Sequence, residues 1–167
     1  MSDLYAEFDD VDEFAVGALG EPGQRVFLLQ CRHGDERITI KLEKQQAQAM
    51  SLYLRRVLED LPQAESAPRP TPIAPPFDAE FVLGEIGLGY EAEGSRVLVQ
   101  LEEIEPTDEE GEPLTDAPRG HIRVFLSPAQ ALAFCDQSDD AVAGGRPLCR
   151  WCELPMNADG HLCPRMN

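Results

Sequence analysis

Two stretches of this chain repeat each other, and a repeat narrows the foldable possibilities more than any single motif. Ile38-Thr-Ile-Lys-Leu42, followed by residues 43–49, matches Ile122-Arg-Val-Phe-Leu126, followed by residues 127–133. Leu42/Leu126, Gln46/Gln130, Ala47/Ala131 and Ala49/Ala133 are identical pairs. Earlier, residues 14–20 (FAVGALG) match residues 81–87 (FVLGEIG) in the same order. Two ordered matches around a similar strand pattern indicate an internal duplication. Each copy reads as strand, strand, strand, helix.

In the first copy the strands fall near 13–19, 25–32 and 36–42. Glu21-Pro22-Gly23 supplies one turn and His33-Gly34-Asp35 a tight hairpin. Residues 25–29 are largely apolar, as a central strand requires. Ile38, Ile40 and Leu42 alternate with Thr39 and Lys41, which leaves one wet face. The spacing of Ala47, Met50, Leu54, Val57, Leu58 and Leu61 predicts an amphipathic helix over 43–61 packed on the sheet. The second copy has strands near 79–90, 95–103 and 120–126. Ser127-Pro128 opens its helix, with a Ser N-cap and Pro at the first helical position. Ala131, Phe134, Cys135 and Val142 would face the sheet, and Gly144-Gly145 stops the helix.

The expected fold class is therefore α+β. Two βββα repeats form antiparallel sheet or sheets with two packed helices, followed by a short C-terminal zinc knuckle. The boundaries read 1–61 for the first repeat, 62–76 for a Pro-rich linker, 77–143 for the second repeat and 144–167 for the tail. The linker holds six prolines and is expected to be extended. Residues 105–119 form an acidic loop, read as unstructured, that interrupts the last hairpin. It is either a partner- or cation-attracting loop or a solvated one.

The chemistry concentrates in the tail. Cys149-Arg150-Trp151-Cys152 is followed by Gly160-His161-Leu162-Cys163-Pro164. Soft thiolates and an imidazole in two close pairs are what a tetrahedral Zn²⁺ needs. In an extended segment, residues two apart point the same way, so His161 and Cys163 can reach one ion. Residues 157–160 (NADG) carry a turn signal that would fold the chain back between the pairs. Four ligands make a closed, structural site with one zinc per chain. The competing readings are a redox Cys149–Cys152 pair and unpaired cysteines without a function. The redox motif ordinarily opens a helix in a thioredoxin-like unit, which Pro147 and a Pro/Gly-rich tail do not supply.

Other candidates are weaker. Cys31 and Cys135 lie in apolar segments without a nearby base and read as core. Gly84, Gly87 and Gly89 share one strand, but their order is not a dinucleotide fingerprint; they allow a bulge or a close approach. Glu85, Arg25 and His121 are the residues a groove between the copies would use. His33 sits in a turn with no triad-like neighbour. No catalytic constellation is found.

A net charge of −17, with 14 basic residues against 31 acidic ones, opposes phosphate-backbone binding. Residues 1–14 lack a signal-peptide core, and no apolar run approaches a membrane span. Cytoplasmic location, a protein partner and no membrane are the expectations.

The phrases Gly20-Glu-Pro-Gly-Gln-Arg25, residues 26–30 (VFLLQ) and residues 42–46 (LEKQQ), with the Cys149/Cys152/His161/Cys163 tail, resemble a family of unknown function found mainly in actinobacteria. The resemblance runs over nearly the whole chain and implies a cytoplasmic bacterial protein with a zinc knuckle. It implies no reaction. In the family pattern the first cysteine pair is followed by glycine; here Glu153 stands there. Gln24, Arg25, Glu43, Lys44 and Gln45 fall in its diagnostic phrases, as surface-site candidates or as residues that set a turn and a helix start.

The functions left open are a non-enzymatic interaction or regulatory module, an enzyme working in a groove between the copies, and a nucleic-acid binder. The last draws on the topological resemblance of a duplicated βββα unit to PUR and Whirly proteins, which does not carry function.

Overall fold

Among the described residues, apolar alternation sorts into seven strands and the 3.6-residue periodicity into two helices. A computed structural model describes residues 4–61, 71–93, 95–114, 116–144, 149–154, 156 and 160–165. The elements are β1 (Tyr5–Phe8), β2 (Glu13–Leu19), β3 (Val26–His33), β4 (Glu36–Leu42), α1 (Lys44–Glu59), β5 (Leu83–Glu91), β6 (Arg96–Glu103), β7 (His121–Leu126) and α2 (Pro128–Ala143). They form a mixed α+β structure with two sheets. One has three strands in the order β2-β3-β4; the other has four in the order β1-β7-β6-β5.

The β2-β3-β4 and β5-β6-β7 ladders are antiparallel meanders, as the turn signals require. The sheets are not purely antiparallel, however. β1 joins β7 in parallel, with Tyr5 opposite His121 and Phe8 opposite Val124. No hairpin links these strands, so no turn constrains their direction. The acidic stretch 1–14 had hidden this edge strand. The strand expected at 79–90 begins at Leu83, because residues 80–82 turn to β4. Glu80 N–H donates to the Thr39 carbonyl at 2.8 Å and Lys41 N–H to the Phe81 carbonyl at 3.0 Å. Val82 bridges Lys41 in parallel.

One apolar core runs through both sheets and both helices. It includes Phe14, Leu29 and Ile40 from one sheet, and Val99, Leu101 and Val124 from the other. The helix stripe falls as its spacing dictates: Ala47, Met50 and Leu54 are fully buried. Each helix crosses to the other sheet. α1 packs on β5, and α2 packs mainly on β2 with smaller contacts to β6 and β7 of its own sheet. Phe134 of α2 meets Phe14 of β2, ring centroids 4.7 Å apart. Cys135 turns to α1 rather than to a sheet: its thiol donates to the Ser51 carbonyl at 3.5 Å, and Ser51 Oγ to the Cys135 carbonyl at 3.4 Å.

Both helix starts use the same device. Gln46 Oε1 accepts the Glu43 N–H at 2.8 Å, and Gln130 Oε1 the Ser127 N–H at 2.9 Å. The amide nitrogens then reach across. Gln46 donates to the Leu83 and Gly84 carbonyls, and Gln130 to the Val11 carbonyl.

The described part of the linker, residues 71–76, takes no regular secondary structure but lies on the three-stranded sheet. Residues 62–70 fall outside the described residues. The acidic loop holds a small turn, in which the Asp108 carboxylate accepts the Glu110 and Glu112 N–H groups and Thr107 bridges Pro113.

Candidate metal centre

The first cysteine pair is held in a tight turn. Glu153 N–H donates to the Cys149 carbonyl at 2.7 Å, and Cys149 N–H to the Leu154 carbonyl at 2.8 Å. The turn needs a left-handed residue, and Glu153 takes it with φ of 61°. For a residue with a Cβ that conformation costs about 1–2 kcal/mol. Gly160, with φ of 93°, sets the approach of the second pair without that penalty.

The turn directs backbone N–H groups at sulfur. Those of Cys152 and then Trp151 hold the Cys149 thiol below its ordinary value. The Leu154 N–H pulls Cys152 down in the same way. Desolvation and the neighbouring Cys149 and Cys163 sulfurs outweigh that pull, and Cys152 lies above its ordinary value.

The fold brings all four tail residues together. Their ligand atoms lie within 4.8 Å of one another. Cys149 Sγ is 3.8 Å from Cys163 Sγ, and Cys152 Sγ is 3.5 Å from His161 Nε2. Nε2 is thus the imidazole atom at the cluster. His161 Nδ1 is buried without a hydrogen-bond partner among the described residues. Cys149 and Cys163 are buried, and all five cysteines are free thiols with no disulfide. Three sulfurs and one nitrogen that converge without bonding to one another can hold a metal ion.

The remaining candidates stay dispersed. Arg25 lies at the end of α2, donating from Nη1 to the Ala141 carbonyl at 2.8 Å. Gln24 closes a turn onto the Glu21 carbonyl, and Glu43, Lys44 and Gln45 form the start of α1. Glu85 is exposed on β5 and His121 lies on β7. No hydrogen bond or ion pair joins Glu85, Arg25 and His121 among the described residues. Burial pushes the Cys31 thiol well up and Cys135 to about 11, so neither is a ready nucleophile.

Sequence reasoning passed over Gln30 and Gln100. Each follows a Leu-Leu or Leu-Val pair at the middle of a central strand, and that shared pattern could have found them.

Two sheets sharing one core with crossed helices, plus a three-cysteine, one-histidine cluster, define an α+β protein with a candidate metal centre. The chain belongs to the family described as "Protein of unknown function (DUF3090)", whose model matches residues 6–163. No curated protein and no solved structure matches it.

Proposed function

We propose that this is a cytoplasmic, bacterial zinc-binding protein that acts as a non-enzymatic interaction or regulatory module. The observation that carries the reading is the convergence of Cys149, Cys152, His161 and Cys163. Zn–S bonds near 2.3 Å imply a sulfur–sulfur edge of about 3.8 Å in a tetrahedron, and the Cys149–Cys163 separation is 3.8 Å. A shorter Zn–N bond implies a shorter sulfur–nitrogen edge, in keeping with 3.5 Å between Cys152 and His161. Four protein ligands leave no position for a substrate, which favours a structural zinc over a catalytic one. Trp151, Leu154 and Leu162 are exposed within the same tail, and exposed apolar side chains grouped on one small module suit a protein partner.

The body of this protein is, in the same reading, a duplicated βββα unit. In support, β2-β3-β4-α1 and β5-β6-β7-α2 follow one another with matching capping glutamines and reciprocal Ser51 and Cys135 contacts. The ladder register keeps one sequence match and overturns the other, that of residues 14–20 with 81–87. Leu42 and Leu126 stay equivalent, but Gly17, opposite Leu28, corresponds to Gly89, opposite Leu98, rather than to Gly84.

The test is the metal content of untagged protein by mass spectrometry. One zinc per chain is expected, lost in Cys149→Ser while the far-UV spectrum of the body persists. Wild-type protein purified without metal, with three freely titrating tail thiols, would overturn the reading.

A further inference from the structure

Residues 71–76 show how this fold seats an extended peptide. Ile73 fills the space over Gly17: a Cβ added there would lie 2.8 Å from Ile73 Cγ1. Gln30 clamps the Ala74 backbone from both sides. Ala74 N–H donates to Gln30 Oε1 at 2.9 Å, and Gln30 Nε2 donates to the Ala74 carbonyl at 2.7 Å. Arg37 Nη1 donates to the Pro75 carbonyl at 3.2 Å.

The four-stranded sheet presents the same ladder positions, and no described segment is hydrogen-bonded over them. Gln30 lies between Ala15 and Thr39, and Gln100 between Gly87 and Arg123. Leu28 lies opposite Gly17, and Leu98 opposite Gly89. A Cβ at Gly89 would meet only the Leu98 side chain, at 3.7 Å and 3.8 Å. The Gln100 amide has no hydrogen-bond partner among the described residues. His121, at the ladder position that Arg37 holds on the other sheet, has a buried Nε2 with no partner there either. Aromatic rings adjoin the seat: Phe125 lies beneath the guanidiniums of Arg96 and Arg123, and Tyr5 meets His121 edge-on.

We propose that this outer face binds an extended, proline-containing peptide of a partner protein. The peptide sits as residues 71–76 sit on the other sheet. An aliphatic side chain rests over Gly89 and Leu98, and Gln100 clamps the next residue's backbone. Proline suits the seat because it fixes an extended chain at low entropic cost and packs on aromatic rings. Charge separates this occupant from a nucleic acid. Glu91 pairs with Arg96 at 2.9 Å and Glu7 with Arg123 at 3.1 Å, so the arginines are already neutralised.

This inference deepens the interaction reading. Peptide binding and metal content are separate measurements, so either can fail alone. The experiment titrates the full-length protein into a fluorescein-labelled peptide reproducing residues 70–77 (PTPIAPPF), read by fluorescence polarisation. Saturable binding is expected. Gly89→Val fills the seat and Gln100→Leu removes the clamp, and each is expected to weaken binding at least about tenfold. Both variants should keep the wild-type unfolding midpoint and metal content. Absence of saturable binding, or wild-type affinity retained in both variants, overturns the proposal. So does a concentration-dependent dimer that occludes the peptide, which assigns the face to a second copy. Binding of oligothymidylate in place of the peptide overturns it as well.

Discussion

Gln30 and Gln100 occupy the same ladder position on the central strands of the two sheets, yet their surroundings differ. Gln30 is buried and engaged by Thr39 and both polar groups of Ala74. Gln100 is half-buried, with its amide unpartnered among the described residues. Small neighbours, Ala15 and Gly17, let the chain's own peptide approach the first sheet. On the second, Gly87 and Gly89 leave comparable room, but Phe125 and Arg123 replace Lys41 and Thr39 at the flanking positions. Where the peptide is covalently present, burial and hydrogen bonding belong to folding. Where it is not, the same geometry is left for a ligand.

Removing each amide is expected to affect the two sheets most differently. Gln30→Leu forfeits three hydrogen bonds and is expected to cost about 3 kcal/mol in urea denaturation, at roughly 1 kcal/mol each. Gln100→Leu should stay within about 0.5 kcal/mol of wild type. Equal losses would mean that the second face is already covered. Filling the glycines should give a smaller contrast. Gly17→Val must displace Ile73 and is expected to cost about 1–3 kcal/mol, the usual range for overpacking. Gly89→Val should be neutral within about 0.5 kcal/mol.

The tail provides a control outside both sheets. Glu153→Gly relieves a left-handed residue, for a gain of about 1 kcal/mol or roughly fivefold in metal affinity by chelator competition. The unfolding midpoint of the body should not move.

A small effect is expected at the helix crossing. Burial raises the Asp139 carboxyl, but the Ser51 hydroxyl and the Arg55 guanidinium outweigh it and hold the group below its ordinary value. Its contribution is present above the unfolded carboxylate value of about 3.9 and is lost as pH falls through the lower folded value. Asp139 is half-exposed and screened, so Asp139→Asn should cost under about 1 kcal/mol at pH 7. The difference from wild type should shrink in acid.

Much of this was legible locally. Alternation marked Ile38, Ile40 and Leu42, a three- and four-residue step marked Ala47, Met50 and Leu54, and Ser127-Pro128 marked a helix start. The four residues of the tail cluster were readable because metal coordination restricts both residue type and spacing, and the fold brings them within 4.8 Å of one another. β1 was not legible: four residues with two exposed polar or charged side chains carry too weak an alternation, and their partner lies more than a hundred positions away. The linker's prolines indicated extension but not that Ile73 and Ala74 would dock.

Local patterning in the sequence was enough for the features held by near neighbours: strands β2 to β4, β6 and β7, both helices, the His33-Gly34-Asp35 hairpin, the Ser127 cap, and the Cys/His cluster. Tertiary structure alone decided the rest. It packed α1 on β5 and α2 mainly on β2, turned residues 80–82 to β4, paired β1 in parallel with β7, and laid residues 71–76 over one outer face. Those outcomes depend on which surfaces exclude water from one shared core, and shape complementarity between distant segments leaves no periodic trace in the chain.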